Sequence, residues 1–163
     1  MSMINIRSGA TGARFAIAAG IIAAFAGTAH AQTWPVAGNR TVTSSFGDDE
    51  NNSIHGGLDI PAAAATAVRA VRGFTITSVW YRDAMGVGRM SSVNGFGNGR
   101  DVFQVIGTDA NGKTHLYAHL QNPAMGNITV GQAIVEGANF ARVRGVGDTF
   151  GGSFDHIHYN FSN

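Results

Sequence analysis

Six histidines lie in this chain of 163 residues, and two of them, His156 and His158, stand one residue apart near its end. Side chains two positions apart on a β-strand point the same way, so these imidazoles could share one metal ion or one reacting atom. Within residues 154–161, alternation sends Ile157, Tyr159 and Phe161 toward a core and His156, His158 and Asn160 to the opposite face. Upstream, His55 stands four residues before Asp59, and His119 closes a run that also holds His115 and Tyr117. Cysteine is absent. Disulfide scaffolds and thiolate zinc sites are therefore excluded, and a metal would have to be held through imidazole and carboxylate. Catalytic zinc takes three such ligands and leaves a fourth position to water, whose pKa falls to about 7. His55, Asp59 and one of His156 and His158 supply a set of two imidazoles and one carboxylate. The remaining histidines are then free to move protons or to hold a developing oxyanion.

Short strands and glycine turns must position these groups. Residues 40–46, 68–71, 74–81, 101–106, 114–120 and 140–143 read as strands, and 128–135 as a strand pair broken by a turn at Val130-Gly131-Gln132. Asp109-Ala110-Asn111-Gly112 is a hairpin turn,. Alternation over 114–120 places Leu116, Ala118 and Leu120 on one face, toward the core, and His115, Tyr117 and His119 on the other. That makes His115 a groove-edge or structural residue and Tyr117 a packing or groove-wall residue. Between His55 and Asp59 stand Gly56 and Gly57, with Pro61 just beyond; these disfavour a helix. A turn running into a short strand must bring the pair together. Residues 47–53 and 145–153 read as loops and 62–67 as a connector. Residues 82–100, glycine-rich and without periodicity, read as a long loop, either mobile beside a groove or a plain surface insertion. No amphipathic helix, heptad or internal repeat is present. The expectation is an all-β domain.

The start of the chain reads as a leader. Arg7 and Arg14 precede an apolar run over 15–26, and Ala29-His30-Ala31 fits a small-x-small cleavage pattern,. The run is too short for a membrane span, which needs roughly 20 residues. The expected organisation is a cleaved signal peptide over 1–31 and one domain over 32–163, exported to a periplasm or secreted, with no membrane anchor after cleavage. His30 leaves with the leader, as do two arginines of the eleven basic residues, while all ten acidic residues stay. A balance of nine against ten, with no basic stripe, excludes a nucleic-acid surface. Nor do Gly86-Val87-Gly88 and Gly145-Val146-Gly147 open a helix after a strand, as a nucleotide loop would,.

His55-Gly56-Gly57-Leu58-Asp59, Tyr117-Ala118-His119-Leu120 and His156-Ile157-His158 occur in that order, behind Ser45-Phe46-Gly47. The chain resembles the lysostaphin-type zinc endopeptidases, or LytM-domain peptidases, which cut peptide bonds in bacterial peptidoglycan. The resemblance runs from about residue 34 to 161. It implies a compact antiparallel β-sheet domain with a groove over one sheet and long glycine-rich loops beside it. It also implies Zn2+ held by His55, Asp59 and His158, with catalytic, non-ligand roles for His119 and His156. Zinc-bound water would then attack a peptide carbonyl, with His156 mainly as general base and His119 stabilising the oxyanion. The implied partners are peptidoglycan peptides. Departures from the family pattern are Asp155 and Asn160, where proline and glutamate are frequent, and Asp48, Asp49 and Glu50, where a basic residue is common. Two alternatives stay open: a non-catalytic module that regulates a cell-wall amidase, and a protease acting on secreted or host proteins.

Overall fold

A computed structural model describes residues 33–38, 40–50, 53–121, 128–146 and 154–163. The leader and most of the loop over 145–153 lie outside the described residues. Among the described residues there is no helix, and twelve strands follow one another: β1 (Asp49–Glu50), β2 (Ser53–Ile54), β3 (Leu58–Pro61), β4 (Ala67–Arg69), β5 (Phe74–Arg82), β6 (Gly88–Ser91), β7 (Asp101–Asp109), β8 (Thr114–Ala118), β9 (Leu120–Gln121), β10 (Ala133–Ile134), β11 (Asn139–Val143) and β12 (His156–Ser162). The expected all-β class is found.

A seven-stranded sheet runs in the order β10-β5-β7-β8-β12-β3, with β6 paired to the far half of β5. A three-stranded sheet, β4-β11-β9, is separate from it, and β1 and β2 form a small hairpin. Every recorded strand pair is antiparallel. Ile60, Phe74, Ile76, Val79, Val105, Tyr117, Ile157 and Tyr159 from the large sheet share one buried cluster with Val68, Leu120, Phe140, Ala141 and Val143 from the small one. The core therefore sits between the two sheets. Each fully buried Val, Leu or Ile contributes about 1.5–3 kcal/mol here. Phe74 lies against Gly107 so closely that a Cβ at that glycine would stand 2.2 Å from the ring. A side chain at position 107 would expel the aromatic that caps this end of the core.

The other face of the large sheet is the one that carries chemistry. Its register aligns Met90, Trp80, Gln104, Ala118, His158 and Asp59 as successive cross-strand neighbours. Directly opposed residues on antiparallel strands share a face, so these side chains form one file across the sheet, ending at Asp59.

Beside two smaller departures (Phe161, expected in the core, is 52% exposed at the end of β12, and within 128–135 only Ala133–Ile134 is a strand), three sequence expectations need correction. Residues 82–100 are not one aperiodic loop, because β5 turns at Asp83 and returns as β6. Asp83 Oδ1 accepts from the backbone N–H groups of Met85 and Val87, which closes the turn without apolar alternation in the returning strand. Within 40–46 only Ser44 makes a bridge, to Asp59, because the β1–β2 hairpin takes over immediately afterwards.

The third correction concerns β8, where the alternation is real but its phase is reversed. Tyr117 opposes Tyr159 and Val105, and Ala118 opposes His158. Tyr117 and His115 are therefore core residues, both 0% exposed, while Leu116 and Ala118 face the groove. The core tolerates them because their polar atoms are paired. The Tyr117 hydroxyl accepts the Val71 N–H at 2.8 Å. His115 reaches Asp109 Oδ2 at 3.3 Å and the Tyr159 hydroxyl at 3.0 Å.

Candidate metal centre

His55 and Asp59 come from the turn into β3 and from β3 itself, and His158 from its neighbour β12, directly across from Asp59. Their ligand-type atoms converge. His55 Nε2 lies 3.2 Å from Asp59 Oδ1 and 3.0 Å from His158 Nδ1, and His158 Nδ1 lies 2.9 Å from Asp59 Oδ1. The two glycines of the first motif have a steric role. A Cβ at Gly57 would stand 2.7 Å from His158 Nε2 and 2.7 Å from the Tyr159 carbonyl oxygen. Only glycine lets the His158 ring lie over the turn.

The loop before β1 decides how His55 presents itself. His55 Nδ1 is 3.1 Å from the Ser45 carbonyl oxygen and 3.3 Å from Ser44 Oγ. A carbonyl only accepts, so the ring proton sits on Nδ1, and the Nε2 lone pair points into the cluster. The backbone ties the same loop down, with Gly47 N–H donating to the His55 carbonyl and His55 N–H to that of Asp48. Asp48, from the acidic stretch that departs from the family pattern, caps this turn by accepting the Ser45 N–H at 2.6 Å. Ser44, Ser45 and Asp48 thus set the tautomer of His55. The Ser45-Phe46-Gly47 landmark marked their position, but its spacing carried no hint of that role.

Lone pairs from His55, Asp59 and His158 meet with at most one proton, on His158 Nδ1, to share between two acceptors. Removing three such groups from water without a partner is costly, and a divalent cation resolves the conflict. Tetrahedral bonds of about 2.0–2.1 Å put ligand atoms about 3.3 Å apart, close to the spacings observed. His55, Asp59 and His158 are thus a group that could hold a metal ion. Burial alone would raise the Asp59 carboxyl, but the His158 hydrogen bond and the positive charges of His156, His158 and His55, when protonated, outweigh it. Asp59 is held below the ordinary carboxylate range.

His156 stands beside the cluster. Its Nδ1–H donates to the Phe154 carbonyl at 2.7 Å, and its Nε2 is turned toward the cluster, 3.7 Å from Asp59 Oδ1. Its ring lies between that of Phe154, at 4.5 Å, and that of His119, at 4.3 Å. The His119 ring centre is 6.4 Å from that of His158. All five motif residues are thus brought together, whereas His115 is turned away into the core. Asp155, one of the departures, anchors the start of β12. Its carboxylate accepts the backbone N–H groups of Ala64 and Val146, and its own carbonyl accepts that of Ala62. Asn160 lies on the groove face beside His158, where its Nδ2 would be 3.9 Å from a Cβ at Gly56.

Comparison with solved structures bears on the same arrangement. The catalytic domain of the antimicrobial peptidase lysostaphin from Staphylococcus simulans superposes with a TM-score of 0.51 at 19% identity, over 73% of this chain and 77% of that one. The catalytic domain of a prophage-encoded M23 protein from Enterococcus faecalis superposes with a TM-score of 0.51 at 18% identity, over 77% and 81% of the two chains. The fold is the lysostaphin-type peptidase fold. Against the longer lysostaphin structure, this chain spans only 41% of the partner's length, with a TM-score of 0.52 at 18% identity and 74% of this chain covered. No sequence-family profile and no curated protein sequence matches the chain. The file from Met90 to Asp59, on the face of the large sheet away from the core, ends at the cluster.

Proposed function

We propose that the protein is an exported zinc endopeptidase that hydrolyses peptide bonds in peptidoglycan cross-links or stem peptides. One observation carries the reading: two imidazoles and one carboxylate converge within 3.2 Å of one another, while His156 Nε2 lies 3.7 Å from their shared oxygen. A zinc ion held by His55 Nε2, Asp59 Oδ1 and His158 Nδ1 would acidify water and polarise the peptide carbonyl. The remaining steps belong to the chain's own groups. His156 Nε2 takes the proton from the attacking water, its ring held by the Phe154 carbonyl in the tautomer that can accept it. As His156 becomes cationic, the nearby Asp59 carboxylate stabilises that charge. The His119 ring, packed against His156, would stabilise the carbonyl oxygen as it gains negative charge. The proton on His156 is then available to the leaving amine. Peptidoglycan as substrate, and export by the leader over residues 1–31, are supported by the order of the three motifs behind an apolar N-terminal run.

The test is digestion of purified peptidoglycan by the purified protein, with products resolved as muropeptides. Hydrolysis that a chelator abolishes and added zinc restores is expected. Absence of any metal-dependent product would overturn the assignment.

A further inference from the structure

Arg144 belongs to none of the motifs and lies outside the metal cluster, yet it is only 5% exposed. Its contacts gather around one point of the backbone. Its own N–H donates to the His119 carbonyl at 2.9 Å, its Nε donates to the Leu120 carbonyl at 2.6 Å, and its Nη2 pairs with Asp101 Oδ1. One residue therefore holds two consecutive carbonyls at the junction where β8 ends and β9 begins.

His119 needs holding there. Its φ is +59°, a left-handed conformation disfavoured for a residue with a Cβ. Strand alternation would otherwise carry position 119 onto the same face as His115 and Tyr117, into the core. The kink instead sends the chain from the large sheet into the small one, where Leu120 pairs with Val143, the residue before Arg144. The same kink leaves the His119 ring against His156. Asp101, the first residue of β7, holds the guanidinium in place and is also approached by Arg82 Nε at 3.8 Å.

We propose that Arg144 and Asp101 form a clamp that keeps His119 left-handed and so positions its imidazole in the groove. Arg144 is a positioning residue: its guanidinium fixes the Leu120 carbonyl next to His119, whereas its N–H on the His119 carbonyl is a backbone contact that Arg144→Met retains. The inference rests on the catalytic reading of His119 given above. Two variants of the full chain test it: Arg144→Met, which keeps the apolar stem, and Asp101→Asn. The first readout is the 13Cα and 13Cβ chemical shifts of His119, which report its φ. The second is kcat, KM and zinc content with peptidoglycan peptides. In Arg144→Met the His119 shifts should move toward extended values and kcat should fall about 100-fold, with KM within about twofold and zinc content unchanged. Asp101→Asn should move every readout the same way by less, and it alone decides if Arg144→Met does not fold. Unchanged His119 shifts, or a loss of activity only in step with zinc or folded fraction, would overturn the clamp. A wild-type protein without hydrolytic activity would overturn the proposed function instead, since the shifts still report on the clamp.

Discussion

Two buried His–Asp clusters lie on opposite faces of the large sheet, and they differ in how their protons are counted. On the core side, Asp109 accepts two backbone N–H groups, from Asn111 and Lys113, together with His115 Nε2–H, and His115 Nδ1 accepts the Tyr159 hydroxyl. Each polar group there has a complement, so the cluster is complete. On the groove side, His55, Asp59 and His158 aim lone pairs at one another with one proton at most between them. Both clusters pair histidine with aspartate. What separates a structural cluster from one that could hold a metal ion is whether donors and acceptors balance without an ion.

The largest effect that would break this comparison lies in the groove. His158→Ala should abolish zinc binding and hydrolysis together. His156→Ala should keep its zinc, because its Nε2 stands outside the triangle, and lose about 100- to 10,000-fold in rate. Metal analysis alongside muropeptide kinetics separates the two, and equal loss of zinc in both variants would refute the division of roles.

A change on the core side should have the opposite profile. His115→Ala removes the partner of the Tyr159 hydroxyl and opens a cavity, while Asp109 keeps the Asn111 and Lys113 N–H groups. It should cost on the order of 3 kcal/mol of stability with zinc content per folded molecule unchanged. Urea denaturation and metal analysis check both halves. Zinc loss without destabilisation would mean that the two clusters are not independent.

How far these roles can be seen in the amino-acid order differs between the strands. In β12 the alternation was legible over residues 156–159, because Ile157 and Tyr159 are strongly core-like and His156 and His158 are not. It failed at Phe161, which the end of the strand leaves exposed. In β8 both alternating sets could pass for a core face, since Leu116 and Ala118 compete with Tyr117 and His115. Only pairing with β12 and β7 sets the phase, and a shift of one residue reverses every side chain. The five motif residues were legible from type and order. The supports were not: Asp48, Asp155 and Arg144 act through backbone groups brought near by folding, and such partners leave no spacing in the chain. The β6 strand was invisible for a related reason, as Gly88-Arg89-Met90-Ser91 has no alternation and is held by the Asp83 turn.

The smallest expected effect sharpens the core side. Burial pushes the Tyr159 phenol up to about 12 and the Tyr117 phenol higher still. An unfolded tyrosine ionises near pH 10. Below that pH both states keep their protons and the folded state has its full advantage. Between about pH 10 and 12 the unfolded chain gives up protons that the native core retains, so stability falls as pH rises. Denaturation at stepped alkaline pH should show this decline in the wild type and a shallower one in Tyr159→Phe. Equal slopes would place the alkaline transition elsewhere.

The file of side chains from Met90 through Trp80, Gln104 and Ala118 to His158 and Asp59 makes the groove a ruler. Neighbouring strands are about 4.8 Å apart, so under the proposed endopeptidase reading a peptide lying across the strands would meet these positions at that interval. On that reading, exchanging Gln104 or Trp80 would alter which peptide side chain fits while leaving His55, Asp59 and His158 as they are. Selectivity in such a scaffold can change one strand at a time.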